Sequence, residues 1–436
     1  MIIKLFLVSI LSFSLFASSL DDLIEYACKN STIVKNTKAQ IELSKLKKEE
    51  TRKSSYGKIN LVGEYTHYNS PRTLAPLTPS SMMSGLPVTT TKDIYSVGIS
   101  YSVPLFTGYA TTRQIEMDAI SKKIADVKLN LTLEQLIYNI RSLYISVLNT
   151  KDLLKAQIEY SKALKALSNQ IKDEVRLGKK AEIDLIKAKA DLQASKTKEE
   201  LFKSNINILL AALSSLTGKE VRDVEDIEIE VTKPDYNLDN FLSRLKDLYK
   251  IKVDSLAIQK AQKAIKKSEA LKYPMVNLNS YAGKNYGEDR GVNGWDDETL
   301  IQVGLSVKYT LVDFGTSDIA TQKAKISKIQ ATLQKEQKIL DTKKDINEAI
   351  QKIKQSYSSY LGNRAEYELS QKSEEIESVR YKSGVSTLND LLLAKAKSEF
   401  AKVKMIQSRY DYQKNRYYLD YLMEKGSKNN NKRVEQ

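Results

Sequence analysis

The 436-residue chain has little of the side-chain chemistry that most enzymes and metal sites use. It contains one histidine, His67, and one cysteine, Cys28, so an intrachain disulfide and a metal site built on several of these residues are excluded. The sequence also has no glycine-rich phosphate loop, and its carboxylates are spread along predicted helix surfaces. We therefore predict a protein that is not an enzyme and that needs no cofactor or metal.

Long apolar runs are equally scarce. The stretch 5–16, interrupted only by serines, follows Lys4 and precedes Ala17-Ser18-Ser19, the pattern of a secretory signal peptide over residues 1–19; a short buried helix is the alternative. No other stretch reaches the roughly 18 apolar residues of a transmembrane helix, so a membrane-spanning form would have to use strands. Cys28 lies well beyond the run, and no lipid anchor is predicted.

The formal charge of +15 raises the possibility of nucleic-acid binding. The lysines, however, alternate with Glu and Asp along predicted helices, which is typical of a solvated face. We predict no nucleic-acid partner. After secretion, the anionic surface of a cell envelope is a more available partner for a basic chain than DNA.

Much of the chain occurs twice, at a constant offset of 206 residues (97 to 303, for example). Val97, Gly98, Ser100 and Leu105 recur as Val303, Gly304, Ser306 and Leu311. Far downstream, Gly178, Asp184 and Leu185 recur as Gly384, Asp390 and Leu391. An unchanged offset over so long a span indicates duplication of one structural unit.

Each unit is predicted to contain a β-hairpin, over 58–105 and 274–311. Apolar residues at 95, 97, 99, 101 and 103 alternate with small polar ones, and the pattern returns at 301–309. Period-two alternation predicts a sheet that is wetted on one face. The apolar face could meet a protein core or lipid, and the strand lengths of about ten residues match a tilted membrane crossing.

Each hairpin is followed by an exceptionally long predicted helix. Residues 112–177 contain no Gly or Pro, which predicts a coiled-coil-like helix about 100 Å long. The return helix, 181–216, and the leading helix, 20–55, together match that length. A linker over 217–237, with a short strand at 224–231, joins this repeat (20–216) to the second (238–424). There we predict a leading helix (238–271), a long helix (316–382) interrupted at Gly362, a return helix (386–424) and a disordered tail (425–436).

The predicted fold class is therefore mainly α with membrane β-hairpins, in two tandem repeats of helix, β-hairpin, long helix and short helix. Four strands cannot close a barrel, since the smallest spanning barrels have about eight, and open strand edges cannot sit in lipid. If the hairpins are in a membrane, several copies must combine them. A secreted or periplasmic coiled-coil structural or adaptor protein without a channel is the alternative, but it has no use for two hairpins of lipid length.

Two kinds of motif resemble the TolC-like outer membrane efflux proteins. One is the strand-to-helix motif at Pro104, Leu105, Phe106 and Gly108, repeated in weaker form at Leu311, Phe314 and Gly315; the other is the helix-tip motif 381–390. The resemblance implies a homotrimer with a 12-stranded β-barrel, a long periplasmic α-barrel and an equatorial domain. It implies a channel in the outer membrane of a Gram-negative bacterium, surrounded by outer-membrane lipid. Implied partners are a periplasmic adaptor (membrane fusion) protein and an inner-membrane RND or ABC transporter. Multidrug efflux and type I secretion both remain open.

The resemblance also implies residue roles at the helix tips. The periplasmic gate would include Asp184, Asp390 and Tyr381, with adaptor docking around Arg176, Leu177, Gly178, Lys179, Gly384 and Ser386. This sequence departs from the family at two positions, since Ser386 replaces an expected basic residue and Leu393 an expected carboxylate. The alternative for both aspartates is a plain helix N-terminal carboxylate, which the helix dipole favours.

Overall fold

The computed structural model describes residues 17–85, 88–289 and 294–426. Most of the predicted signal peptide (1–16) and most of the predicted disordered tail (427–436) lie outside the described residues. The described part is mainly helical with one small antiparallel sheet, which confirms the coarse fold class.

The helices are α1 (Leu20–Asn30), α2 (Thr32–Ser54), α3 (Pro79–Met83), α4 (Ala110–Arg176), α5 (Glu182–Thr217), α6 (Leu238–Leu242), α7 (Tyr249–Ser268), α8 (Thr316–Lys382) and α9 (Leu388–Leu422). Short 3₁₀ turns occupy Leu245–Asp247 and Glu269–Lys272. The two long helices, α4 and α8, have 67 residues each. None of the helices in the described ranges is long and apolar enough to cross a membrane.

The strands are β1 (Lys58–Thr73), β2 (Thr90–Thr107), β3 (Met275–Asp289) and β4 (Gly294–Lys308). They form one antiparallel sheet in the order β1-β2-β3-β4. The register pairs Tyr65 with Tyr95 in the first hairpin and Leu278 with Leu305 in the second. Between the hairpins, β2 pairs with β3, and Gly98 lies opposite Gly283. The two copies of the hairpin therefore belong to one continuous sheet.

The chain divides into two compact units. The first comprises Met1–Lys38, Lys128–Lys252 and Gln337–Gln436, and the second comprises Ala39–Val127 and Val253–Glu336. In the first, Tyr144 is fully buried, and its hydroxyl donates to the carbonyls of Ser18 (3.1 Å) and Glu225 (2.8 Å). The hydrogen bond to Glu225 fastens the linker to α4. The second unit contains the sheet.

Several predicted elements differ from the observed ones. The segment 224–231 is not a strand: Val224 makes an isolated bridge to Ser18, and residues 225–231 belong to no strand. The leading helix of the first repeat breaks at Ser31, whose backbone is extended (ψ 136°). That of the second breaks at Leu248 (ψ 138°), which is buried in the core.

Glycine misled the sequence prediction at two places. Gly362 does not interrupt α8, since one helical glycine costs about 1 kcal/mol, which a packed 67-residue helix tolerates. The glycines at 287, 291 and 294 also predict a loop over 285–298 between the two strands of the second hairpin, but most of this segment is strand, because β3 extends to Asp289 and β4 begins at Gly294. Gly287 permits a close approach inside the sheet, where a Cβ would lie 2.5 Å from the Thr91 side chain.

Candidate functional site

The two long helices end in the same backbone motif. Gly178 and Gly384 are both left-handed, with φ of 73° and 75°. After α4, the N–H of Gly178 donates to Val175 (2.9 Å) and that of Lys179 to Glu174 (2.8 Å). Gly384 and Val385 donate in the same way to Tyr381 (3.0 Å) and Arg380 (2.9 Å). This is the Schellman ending, which requires a residue without strain at positive φ.

A small apolar cluster, the tip cluster, lies between the two tips within the first unit. Its buried members come from both copies of the duplicated unit: Leu167, Ile171, Ala188, Tyr381, Leu388 and Leu391. Tyr381 is 5% exposed, and its hydroxyl has no hydrogen-bond partner among the described residues. Burial, followed by the nearby carboxylates of Glu174 and Asp184, raises the pKa of Tyr381. Of the predicted gate residues, Asp184 is near enough to Tyr381 for its negative charge to contribute to this raised pKa.

Asp390 is exposed and performs a local task at the start of α9. Its carboxylate accepts the N–H of Thr387 (3.0 Å) and the Thr387 hydroxyl (2.7 Å), and the same hydroxyl accepts the N–H of Asp390 (3.2 Å). These bonds form a capping box. The hydrogen bond from the Thr387 side chain is the main reason that the pKa of Asp390 is lowered.

Asp184 occupies the equivalent place in the first turn of α5, but without such a cap. The N-cap residue there is Ala181, which offers no side-chain hydrogen bond. The half-buried Asp184 carboxylate makes no hydrogen bond within the described part of the chain. The two aspartates that the sequence treats as equivalent are therefore in different environments.

The predicted docking residues surround the first tip turn. Leu177 is 63% exposed, and Arg176 and Lys179 are exposed as well. Arg176 forms an ion pair with Asp173, one helical turn earlier, at 3.4 Å. On the second tip, the Ser386 hydroxyl is buried and has no partner among the described residues, and Leu393 is 67% exposed.

The strand-to-helix turns of the second unit also repeat. Each has two successive residues with positive φ: Gly108 (59°) and Tyr109 (68°) in the first, Phe314 (51°) and Gly315 (85°) in the second. The order of glycine and aromatic residue is reversed between the copies. Pro104 precedes a bulge in the pairing of β2 with β3, and Phe106 packs edge-on against Tyr109 at 5.3 Å between ring centroids.

The two turns differ in how closely they are packed. A Cβ on Gly108 would lie 2.5 Å from the carbonyl oxygen of Ala270, whereas Gly315 has open space around it. Leu311 and Phe314 are 85% and 95% exposed. Asp313 begins α8 by accepting the N–H groups of Gly315 (3.0 Å) and Ser317 (2.9 Å).

One face of the sheet consists of exposed apolar side chains. On β1, Ile59 and Leu61 are 73% and 80% exposed; on β4, Ile301 and Val303 are 73% and 71% exposed. The opposite face carries small polar residues such as Ser96 and Ser102, which bond across strands to Asn285 and Asn279. The outer strands β1 and β4 have no further strand beside them in the described chain.

A family model described as outer membrane efflux protein matches residues 23–219 and 245–423. The chain belongs to this family. The resemblance inferred from the turn and tip motifs is thereby confirmed, and the family is one of channels rather than enzymes.

Individual relatives are distant in sequence. The outer membrane protein TolC of Vibrio cholerae is 21% identical over 328 residues, which cover 73% of this chain and 74% of TolC. The Campylobacter jejuni CmeC outer membrane channel has a TM-score of 0.75 at 16% identity, covering 93% of this chain and 86% of CmeC. The outer membrane protein VceC of Vibrio cholerae has a TM-score of 0.74 at 13% identity, covering 93% and 95%. The structural likenesses show a shared fold.

Sequence reasoning missed two residues of the tips. Thr387 forms the capping box with Asp390, and the spacing Thr-Leu-Asn-Asp was a usable signal for it. Lys180 lies over the ring of Tyr381, with its Nζ 4.7 Å from the ring centroid. The duplication was a usable signal for Lys180, because this residue is equivalent to Ser386, the position at which the resemblance implies a basic residue.

Proposed function

We propose that three copies of this chain form an outer-membrane channel, a passive conduit of a tripartite efflux pump or a type I secretion system that is gated at its helix tips. The observation that supports this most strongly is the exposed apolar face of an open four-stranded sheet. Full burial of an exposed side chain such as Leu61 or Ile301 contributes roughly 1.5–3 kcal/mol of stability, and contact with lipid would provide that burial. A coiled-coil structural protein would leave this face without a role.

The sheet edges support assembly of several copies. Unpaired N–H and C=O groups on β1 and β4 cannot remain exposed in hydrocarbon. Pairing β4 of one copy with β1 of the next removes every edge, and three copies of the four-stranded sheet make a closed 12-stranded barrel. The exposed apolar residues of α8, among them Ile326, Ile329 and Leu333, would then lie between helices of the assembly.

The test is assembly followed by conductance. Protein extracted from the membrane fraction should have the mass of a trimer in native mass spectrometry, and trimers should form discrete conducting pores in planar bilayers. A stable, water-soluble monomer without pore activity would contradict the proposal. N-terminal sequencing of the membrane-bound protein should give Leu20 as the first residue.

The proposed partners are a periplasmic adaptor at the helix tips and, through it, an inner-membrane RND or ABC transporter. The exposed turn formed by Arg176, Leu177, Gly178 and Lys179 supports this, since a protruding apolar residue between two cations is suited to a protein contact. A photo-crosslinking residue at Leu177 should capture an adaptor in intact cells. The same residue at exposed Lys53, in the second unit, serves as the control. Equal capture at both positions would argue against docking at the tips.

A further inference from the structure

Among the contacts that join the two helix tips, one has no counterpart in the other copy of the duplication. Lys180 lies in the turn between α4 and α5, and its ammonium is 4.7 Å from the ring centroid of Tyr381 near the end of α8. In the second copy, 206 residues later, the position equivalent to Lys180 is Ser386. In the first copy, the position equivalent to Tyr381 is Val175. The symmetric position therefore holds a serine and a valine, which cannot form a cation–π pair.

The surroundings favour the ring of Tyr381, not its hydroxyl, as the contact surface. The ring belongs to the tip cluster with Ile171 and Leu391, and the hydroxyl has no hydrogen-bond partner in the described ranges. A cation over a partly desolvated aromatic face is attracted by the quadrupole of the ring, and this attraction does not involve the hydroxyl. Lys180 is half-buried, so part of its hydration is replaced by the ring.

We propose that Lys180 is a positioning residue of the gate: its ammonium, placed over the Tyr381 ring, latches the tip of the first copy to the tip of the second and favours the closed conduit. This rests on the proposed function and assigns its regulation to a cation on the first tip. The family resemblance placed a basic residue at position 386, where this chain has serine. In this chain the positive charge comes instead from Lys180, at the equivalent position of the first tip.

The first test is single-channel recording of full-length trimers with four variants. Lys180→Ala and Tyr381→Leu each remove the cation–π pair, whereas Lys180→Arg and Tyr381→Phe each keep it. One such contact shifts an equilibrium roughly five-fold, so three protomers together should raise the open-to-closed ratio on the order of 100-fold in the first two variants. The arginine and phenylalanine variants should behave as wild type. Lys187→Ala, which removes an exposed cation on α5, is the matched control.

The double variant Lys180→Ala/Tyr381→Leu should be no more open than the stronger single variant, because both changes remove the same contact. Wild-type gating in Lys180→Ala trimers, or equal opening by Tyr381→Phe and Tyr381→Leu, would overturn the latch while leaving the channel intact. Hydrogen exchange provides a readout that needs no pore. Lys180→Ala should speed exchange at both tips (176–182 and 379–388), and unchanged exchange at the second tip would also overturn the proposal. If wild type forms no pore, only the proposed function fails.

Discussion

The carboxylate of Asp390 and the hydroxyl of Thr387 satisfy each other's backbone N–H groups at the start of α9, at 3.0 and 3.2 Å. At the equivalent place in the first copy, Ala181 leaves Asp184 without this partnership. The Asp390 carboxylate is held by its own helix start, whereas the Asp184 carboxylate makes no such hydrogen bond within the described residues. The duplication has thus produced two different tips.

Removing the cap should loosen one tip selectively. Thr387→Ala deletes the hydroxyl that caps α9, and loss of an N-cap costs about 1 kcal/mol. Amide hydrogen exchange in the first turn of α9 should therefore accelerate several-fold. The reciprocal change, Ala181→Thr, should slow exchange at the start of α5 by giving Asp184 a capping partner. Thr197→Ala removes a hydroxyl that donates to the Gln193 carbonyl within α5, and it should affect neither tip.

The charge of Asp390 should influence divalent cations in the conduit. Three copies of the carboxylate would form a ring that attracts cations. Asp390→Asn should weaken divalent-cation block of conductance in planar bilayers while monovalent conductance persists. Unchanged block would remove Asp390 from the gate and leave it as a helix cap alone. Asp239→Asn, in the short helix α6, is the control for loss of a helix N-terminal carboxylate elsewhere in the first unit.

We expect the stability of the first turn of α9 to depend on pH because of Asp390. Hydrogen bonding from Thr387 lowers the pKa of Asp390 in the folded state. Because the folded-state pKa lies below the unfolded value of 3.8, ionised Asp390 stabilises the fold at pH values above 3.8. This stabilisation is lost as pH falls through the folded-state pKa. Exchange protection of the first turn of α9, corrected for intrinsic rates, should therefore fall below about pH 4 in wild type. In Asp390→Asn this dependence should be absent.

The two strand-to-helix turns should differ in their tolerance of a methyl group. Gly315→Ala meets open space and costs only the left-handed conformation, roughly 1–2 kcal/mol. Gly108→Ala has the same backbone penalty and also places its Cβ 2.5 Å from the Ala270 carbonyl, for a total of roughly 2–5 kcal/mol. Trimer yield and thermal denaturation should therefore fall further for Gly108→Ala. Equal losses would mean that the second turn is packed in the assembly.

Replacing Glu424 by glutamine should destabilise the fold less than replacing it by alanine. Its carboxylate is 3% exposed and accepts the N–H groups of Tyr249 and Lys250 at the start of α7. Alanine would leave two donors unpaired, at roughly 1–3 kcal/mol each, whereas the single amide oxygen of glutamine can still accept one of the two N–H groups. Burial raises the pKa of Glu424, so the folded state takes up its proton first and stability rises as pH falls through the folded pKa. Thermal denaturation against pH should show this slope in wild type and lose it in Glu424→Gln.

Features that depend on local backbone conformation could be predicted from the sequence. Alternation at 95–103 gave the strands their two faces, and the absence of Gly and Pro over 112–177 gave α4 nearly its full length. Gly178 and Gly384 marked the helix ends, because glycine is the residue that adopts positive φ without strain. Where glycine had another use, as at Gly287 and Gly362, the same rule failed, since close packing and long cooperative helices override a single local preference.

The sequence by itself determined that one unit occurs twice, which residues face each side of the strands, and where the long helices end. Only the tertiary structure decided that β2 pairs with β3 to merge the hairpins into one sheet, and that Lys180 reaches Tyr381 across the tips. The physical reason is range. Periodicity and turn chemistry act between neighbours along the chain, whereas a strand partner 185 residues away (Gly98 to Gly283) and a cation 201 residues from its ring (180 to 381) are fixed by packing.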